Sequence, residues 1–256
     1  MSEDTVQSFQ KTIADGAVFG LFMKTSDPAF VEAAGYSGMD FVILDMEHGP
    51  ANLTAMQHNV RAAQVSGVLP IIRVNQLSES AISQALDIGA AGVQIPQITT
   101  AEEASIAVKA TKYYPDGERG VCRFVRSAHY SAIPREKYFS QANRSTIVIV
   151  QLEGQKAIHN LDEILNVPGI DIIFIGPYDL SQSLGMPGDT THHKVVEQMR
   201  EIVQKTERKG VVTGTFTDTP QTLEMWRQAG VKYLSYSVDV GLFYETCAGL
   251  VKQFRA

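Results

Sequence analysis

The sequence predicts an α/β fold, a (β/α)8 TIM barrel, on three observations. Eight short apolar runs alternate with helical patterns through most of the chain. The runs are almost continuously apolar rather than alternating, as parallel strands covered on both faces must be. The length, 256 residues, is close to the roughly 250 that eight such units need. An open, doubly wound sheet is the alternative, but no G-x-G-x-x-G follows an early strand.

Each element has its own local reason. Residues 1–12 are polar and acidic and are expected to form an N-terminal tail or short helix. Strands are expected at 17–22 (AVFGLF) and 41–45 (FVILD), and then a helix over 52–66 that Asn52 can cap. The strand at 69–74 (LPIIRV) precedes a helix over 78–87, which opens with Ser78 and carries Glu79 in its first turn. The strand at 91–95 (AGVQI) leads to a helix over 100–112. Its start, T-A-E-E, is a capping box between Thr100 and Glu103. Strands at 146–151 and 171–176 follow, then a helix over 191–209 and a strand at 211–216. A helix over 219–229 starting T-P-Q, a strand at 232–237 and a helix over 240–254 complete the series. The segment 96–145 is longer than one helix needs and is rich in Arg and aromatic residues, a pattern typical of insertions that shape a site or an interface. No linker or repeat divides the chain, so residues 1–256 read as one barrel domain.

Composition excludes several function classes. Net charge is −6, and no basic block or stripe is present, which argues against nucleic acid or an anionic membrane as the main partner. Cys122 and Cys247 lack C-x-x-C spacing, so neither a disulfide framework nor a thiolate metal site is expected; Cys122 reads as a small packed residue. The start has no secretory pattern. No apolar run approaches the roughly 18 residues that span a bilayer. A soluble, cytoplasmic protein is expected.

In such a barrel the C-terminal strand ends face the active site. The second strand ends in Asp45, Glu47 and His48, the third in Arg73, the fourth in Gln94, the fifth in Gln151 and Glu153. Gly176, Pro177 and Asp179 follow the sixth. Glu153 and Asp179 are all-oxygen donors of the kind that hold Mg²⁺ or Mn²⁺; alternatively each caps the helix that follows it. His48 is either a general acid/base, titrating near neutral pH, or a hydrogen-bonded histidine after a strand. Arg73 should be desolvated and so requires an anion: Asp45, Glu47, or a substrate carboxylate or enolate. Gln151 either holds a substrate oxygen or satisfies backbone groups. Lys24 is the only lysine near a C-terminal strand end, so metal-assisted chemistry fits these residues better than a Schiff base.

Together these motifs resemble the HpcH/HpaI family of metal-dependent pyruvate aldolases, the group that includes 4-hydroxy-2-oxo-heptane-1,7-dioate aldolase. The matching segments are D-x-E-H at 45–48, Arg73, L-D-I-G-A-A-G at 86–92, Y-P-D-G-E-R-G at 114–120, Q-L-E at 151–153 and F-I-G-P-Y-D-L-S at 174–181. The match runs collinearly from about residue 15 to 250. The resemblance implies reversible cleavage of a 4-hydroxy-2-oxo acid to pyruvate and an aldehyde, through a metal-bound pyruvate enolate. Glu153 and Asp179 would hold the divalent ion (Mg²⁺, Mn²⁺ or Co²⁺). Gln151, with Gly176, Pro177 and the backbone of Tyr178 and Asp179, would bind the carboxylate. Arg73 would stabilise the enolate, and His48 would act as acid/base.

The resemblance further implies that Asp87 raises the basicity of that histidine. Its place before the fourth strand requires this to happen across a subunit interface, and Asp45 is the other partner available. A homo-oligomer, a hexamer in this family, is also implied. Many members have small residues where this chain has Cys122-Arg123-Phe124-Val125-Arg126; Arg123 either binds the distal part of the substrate or pairs with an acid across an interface. Competing readings are oxaloacetate decarboxylation or a related 2-oxo-diacid lyase on the same site, and a non-catalytic keto-acid-binding barrel.

Overall fold

The eight apolar runs become β1 (Val18–Met23), β2 (Phe41–Asp45), β3 (Leu69–Arg73), β4 (Gly92–Ile98), β5 (Ile147–Leu152), β6 (Ile172–Ile175), β7 (Val212–Thr217) and β8 (Tyr233–Val238). They are all parallel, pair in sequence order, and close with β1 against β8, so the open-sheet alternative is wrong. The computed structural model describes residues 3–255.

Between and around the strands lie α1 (Glu3–Asp15), α2 (Pro28–Tyr36), α3 (Leu53–Ser66), α4 (Glu79–Asp87), α5 (Ala101–Thr111), α6 (Arg135–Ser145), α7 (Gly154–His159), α8 (Leu161–Ile164), α9 (Pro177–Ser183), α10 (His193–Arg208), α11 (Pro220–Gln228) and α12 (Asp239–Arg255). The expected caps form: Asn52 accepts from Ala55, Ser78 from Ala81, and Thr100 and Glu103 make a reciprocal box. The long insertion is a 3₁₀ turn (Arg126–Ser131) followed by α6.

Residue parity along each strand sorts side chains into two cores. Phe41 and Ile43, Leu69 and Ile71, Ile147 and Ile149, and Ile172 and Phe174 point into the barrel with Phe22 and Tyr233. Val42, Leu44, Ile72, Val93, Val148 and Ile173 point outward beneath the helices. Each such fully buried side chain contributes roughly 1.5–3 kcal/mol of transfer free energy. Glycines on the inner face admit the aromatics: a Cβ on Gly20 would lie 2.3 Å from the Phe41 carbonyl oxygen.

The N-terminal segment is a full helix rather than a tail. Val6, Phe9 and Ile13 of α1 join the interior cluster, where the inward residues of the strands begin. Residues 1 and 2 of the expected tail lie outside the described residues. Cys122 is exposed, not packed, because it sits in an irregular stretch of the insertion. At the other end of the chain, α12 buries only Asp239; Phe243, Tyr244, Leu250, Val251 and Phe254 are exposed. No described helix is long and apolar enough to cross a membrane.

Candidate active site

Continuing the inward stripe of each strand to its C-terminal end places Asp45 after Ile43, Arg73 after Ile71, Gln94 after Gly92, and Gln151 after Ile149. The register sets Asp45 opposite Arg73 and Arg73 opposite Gln94. One layer of the barrel therefore changes from apolar to polar at its mouth. A cavity of about 230 Å³ opens there, lined on its polar side by Lys24, Arg73, Gln151 and Asp179 and on its apolar side by Phe22, Phe174, Phe216 and Val238. A larger cavity, about 480 Å³, lies between α1 and the insertion and contains Arg119. It is remote from the carboxylates at the strand ends.

Asp45 organises the cationic half of the mouth. It is fully buried and accepts two hydrogen bonds from Arg73, Nε to Oδ1 at 2.9 Å and Nη2 to Oδ2 at 2.8 Å. Lys24 Nζ adds a third at 3.1 Å, and the backbone N–H groups of Glu47 and His48 donate at 3.0 and 3.3 Å. Burial alone would raise this carboxyl, but the hydrogen bonds and charge of Arg73, with Lys24 and the His48 amide, outweigh it and hold the pKa at about 2. Arg73 also meets Glu47, Nη1 to Oε2 at 2.9 Å, an ion pair not aligned as a hydrogen bond. Its guanidinium lies 4.7 Å from the centroid of the Phe22 ring. Both acids considered as its anion are thus in contact with it, and Arg73 is buried as expected.

The opposite half is acidic. Gln94 Nε2 donates to Gln151 Oε1 at 2.5 Å, and Gln151 Nε2 to Glu153 Oε1 at 2.6 Å. This chain orients Glu153. Burial raises the Glu153 pKa; the Gln151 hydrogen bond opposes that, and the charges of Glu47 and Asp179 reinforce it. Neither predicted cap forms: Glu153 precedes α7 and Asp179 is the third residue of α9, and no side-chain cap hydrogen bond is made at either helix. A Cβ on Gly176 would lie 2.6 Å from Asp179 Oδ2, so the carboxylate folds back over this glycine and a side chain there would displace it. The first bond of α9 runs from Leu180 N to Gly176 O, which leaves the Tyr178 and Asp179 amides without a helical acceptor. The Tyr178 hydroxyl donates to Asp218 in the loop after β7.

The donor set fits a hard divalent cation. Two carboxylates with oxygens that accept no protein hydrogen bond among the described residues repel one another in a half-buried site, and a cation relieves that repulsion. The described residues contain no cluster of three or more such ligands. The rest of an octahedral shell would therefore come from water and substrate oxygens.

The remaining predicted residues lie at the edge or away. His48 stands at the rim, its side chain 67% exposed and Nε2 4.0 Å from Glu47 Oε2. Asp45 reaches the main chain of His48, and no hydrogen bond joins it to the imidazole among the described residues. Asp87 ends α4 on the far side of the barrel, paired with Arg119 at 2.6 Å, outside its own chain's cavity. Arg123 donates to the carbonyls of Ser131 and Ile133 at 3.1 and 3.2 Å and likewise lies outside it. Sequence reasoning missed Arg119, Asp218 and the apolar wall. Inward parity at the ends of β1, β7 and β8 was the available signal for the wall.

Comparison with known proteins identifies the family and the fold. A family model described as HpcH/HpaI aldolase/citrate lyase matches residues 18–246. A 2-keto-3-deoxy-L-rhamnonate aldolase of Escherichia coli is 35% identical over 250 residues, 97% of this chain and 93% of the relative. The crystal structure of an HpcH/HpaI aldolase from Desulfitobacterium hafniense superposes with a TM-score of 0.89 at 31% identity, covering 96% and 95% of the two chains. That of the citrate synthase SbnG does so at 0.85 and 28%, covering 98% and 96%. The chain is a carbon–carbon lyase and belongs to the HpcH/HpaI aldolase/citrate lyase family.

Proposed function

We propose that the protein reversibly cleaves a 4-hydroxy-2-oxo acid to pyruvate and an aldehyde, with a divalent cation held by Glu153 and Asp179. The observation that carries this reading is the meeting, at one barrel mouth, of a buried arginine with two carboxylates, Asp179, which accepts no hydrogen bond among the described residues, and Glu153, which accepts only from Gln151. When bound, Mg²⁺, Mn²⁺ or Co²⁺ supplies Lewis-acid charge at the 2-oxo end of the substrate. Gln151 and the free amides of Tyr178 and Asp179, on the Gly176-Pro177 turn, hold the substrate carboxylate. Arg73, fixed by Asp45 and Glu47, places positive charge where the enolate oxygen develops as the C3–C4 bond breaks. His48 at the rim takes the proton of the C4 hydroxyl and returns it to C3 of the enolate, which gives pyruvate. In the synthetic direction it removes a proton from the pyruvate methyl group.

The relative from Escherichia coli is named for a keto-deoxy sugar acid, and this supports a 4-hydroxy-2-oxo acid as the substrate class here. The apolar residues exposed along α12 support a homo-oligomer, for which a hexamer is the size the family resemblance suggests. In such an assembly Asp87, and also Arg123, would serve a neighbouring subunit's site rather than their own.

The test is pyruvate release from a panel of 4-hydroxy-2-oxo acids and oxaloacetate, with added metal and after chelation. Cleavage that needs metal and is lost in Glu153→Ala is expected. Full cleavage by that variant after chelation refutes the metal assignment. Release from oxaloacetate alone makes the protein a decarboxylase on the same enolate site.

A further inference from the structure

Lys24 has no part in the scheme above, yet it lines the same cavity as Arg73, Gln151 and Asp179. It follows β1 directly, and its backbone is clamped. The N–H groups of Lys24 and Thr25 each donate at 2.9 Å to the buried carboxylate of Asp239 at the start of α12. From this fixed base the ammonium reaches Asp45 Oδ2 at 3.1 Å, the oxygen that also accepts Arg73 Nη2 at 2.8 Å. The Lys24 side chain is 28% exposed, whereas that of Asp45 is wholly buried.

The charges explain why a second cation sits there. Arg73 alone lies against two carboxylates, Asp45 and Glu47. Those three groups sum to −1, so the guanidinium is over-neutralised and presents little positive potential to an oxyanion in the cavity. Lys24 brings the cluster to zero and takes up part of the charge of Asp45. Lys24 keeps part of its side chain in solvent and has no need of a buried acid for its own solvation; the buried acid, already bonded twice by arginine, needs no further donor for its solvation either. The contact therefore matters for the potential that Arg73 projects into the cavity.

We infer that Lys24 is a positioning residue for the enolate-forming step: by sharing Asp45 with Arg73 it keeps the guanidinium's charge available to the developing oxyanion. The inference rests on the proposed pyruvate-enolate function of this cavity. It makes Lys24 a fixed charge and not a nucleophile, since an ammonium that donates to a buried carboxylate offers no lone pair to a carbonyl.

The experiment is exchange of the pyruvate methyl protons in deuterated water with Mg²⁺, followed by NMR for the parent, Lys24→Met and Lys24→Arg, with circular dichroism to confirm that each variant is folded. Absence of exchange in the parent refutes the proposed function itself. Given exchange in the parent, Lys24→Met should lower kcat about 10- to 100-fold, the effect of one unit charge at roughly 6–12 Å in an effective dielectric near 20. The pyruvate KM should change little, and Lys24→Arg should recover most of the rate. Parental exchange in Lys24→Met overturns the inference. So does an equal loss in both variants, or a loss confined to KM. Borohydride trapping of pyruvate on Lys24 overturns it as well, because that makes the lysine a covalent catalyst.

Discussion

Asp45→Asn removes one charge from the most heavily bonded carboxylate of the site. Asp45 is fully buried and receives two hydrogen bonds from Arg73, one from Lys24 and two from backbone amides. An asparagine can keep some acceptor geometry at one oxygen, but its NH₂ group then faces Arg73 Nη2 or Nε, donor against donor. The folded-state pKa of about 2 against an ordinary 3.8 sets a scale of about 2 kcal/mol for what ionisation of this group contributes. Leaving two cations against a neutral partner adds to that, as broken buried pairs cost about 3–5 kcal/mol. The sign follows from the direction of the shift. A carboxyl with a lowered folded pKa contributes stability that is fully present above its unfolded pKa and is lost as pH falls through its folded pKa. The deficit of the variant should therefore be full at neutral pH and shrink between about pH 4 and about pH 2. Urea denaturation followed by circular dichroism, at neutral pH and at steps through the acid range, reads this directly. A variant as stable as the parent at neutral pH, or a deficit constant down through the acid range, would falsify the view that Asp45 is held ionised by Arg73 and Lys24.

Three further outcomes are expected. Gly176→Ala needs no unusual backbone, since Gly176 has φ −72°, but its Cβ would lie 2.6 Å from Asp179 Oδ2. The displaced carboxylate should weaken Mn²⁺ binding about tenfold or more in a titration followed by electron paramagnetic resonance, with the fold retained; unchanged affinity would remove Asp179 from the metal site. His48→Asn should leave the urea midpoint almost unmoved, because the ring is exposed, while cleavage falls about 10²- to 10⁴-fold; parental turnover would assign the proton transfer elsewhere. Replacing Phe243 and Phe254 of α12 by Glu should lower the assembly state seen by light scattering, since both are exposed apolar side chains. A protein that is monomeric before substitution would sink that expectation.

Much of the barrel was legible because its causes are local. Near-continuous apolar runs of strand length mark parallel strands whatever surrounds them, and Asn52, Ser78 and the Thr100–Glu103 box are capping chemistry written within four residues. α2 went unread although Asp27 and Pro28 form a cap followed by proline at the first turn. The helix is only nine residues long and its burial is confined to Val31, so its periodicity is weak. The segment after Glu153 went unread because Asn160 divides it into two short helices, α7 and α8, each too brief to show a period.

By itself the sequence determined the fold class, the place of each strand to within about three residues and the chemical types gathered at their ends, since parity along a strand carries an inward stripe from Ile43 to Asp45 or from Ile71 to Arg73 without reference to any neighbour. Only the tertiary structure decided which of those groups bond to one another. Arg73 divides between Asp45 and Glu47, Lys24 joins Asp45 from β1, and Gln94 reaches Glu153 through Gln151. These partners lie up to 57 residues apart in the chain. The register of neighbouring parallel strands brings them together, and it is not encoded in a local pattern. The same holds for α12: its apolar residues read alike in sequence whether they pack on their own barrel or stay exposed, and only the fold shows that they face outward.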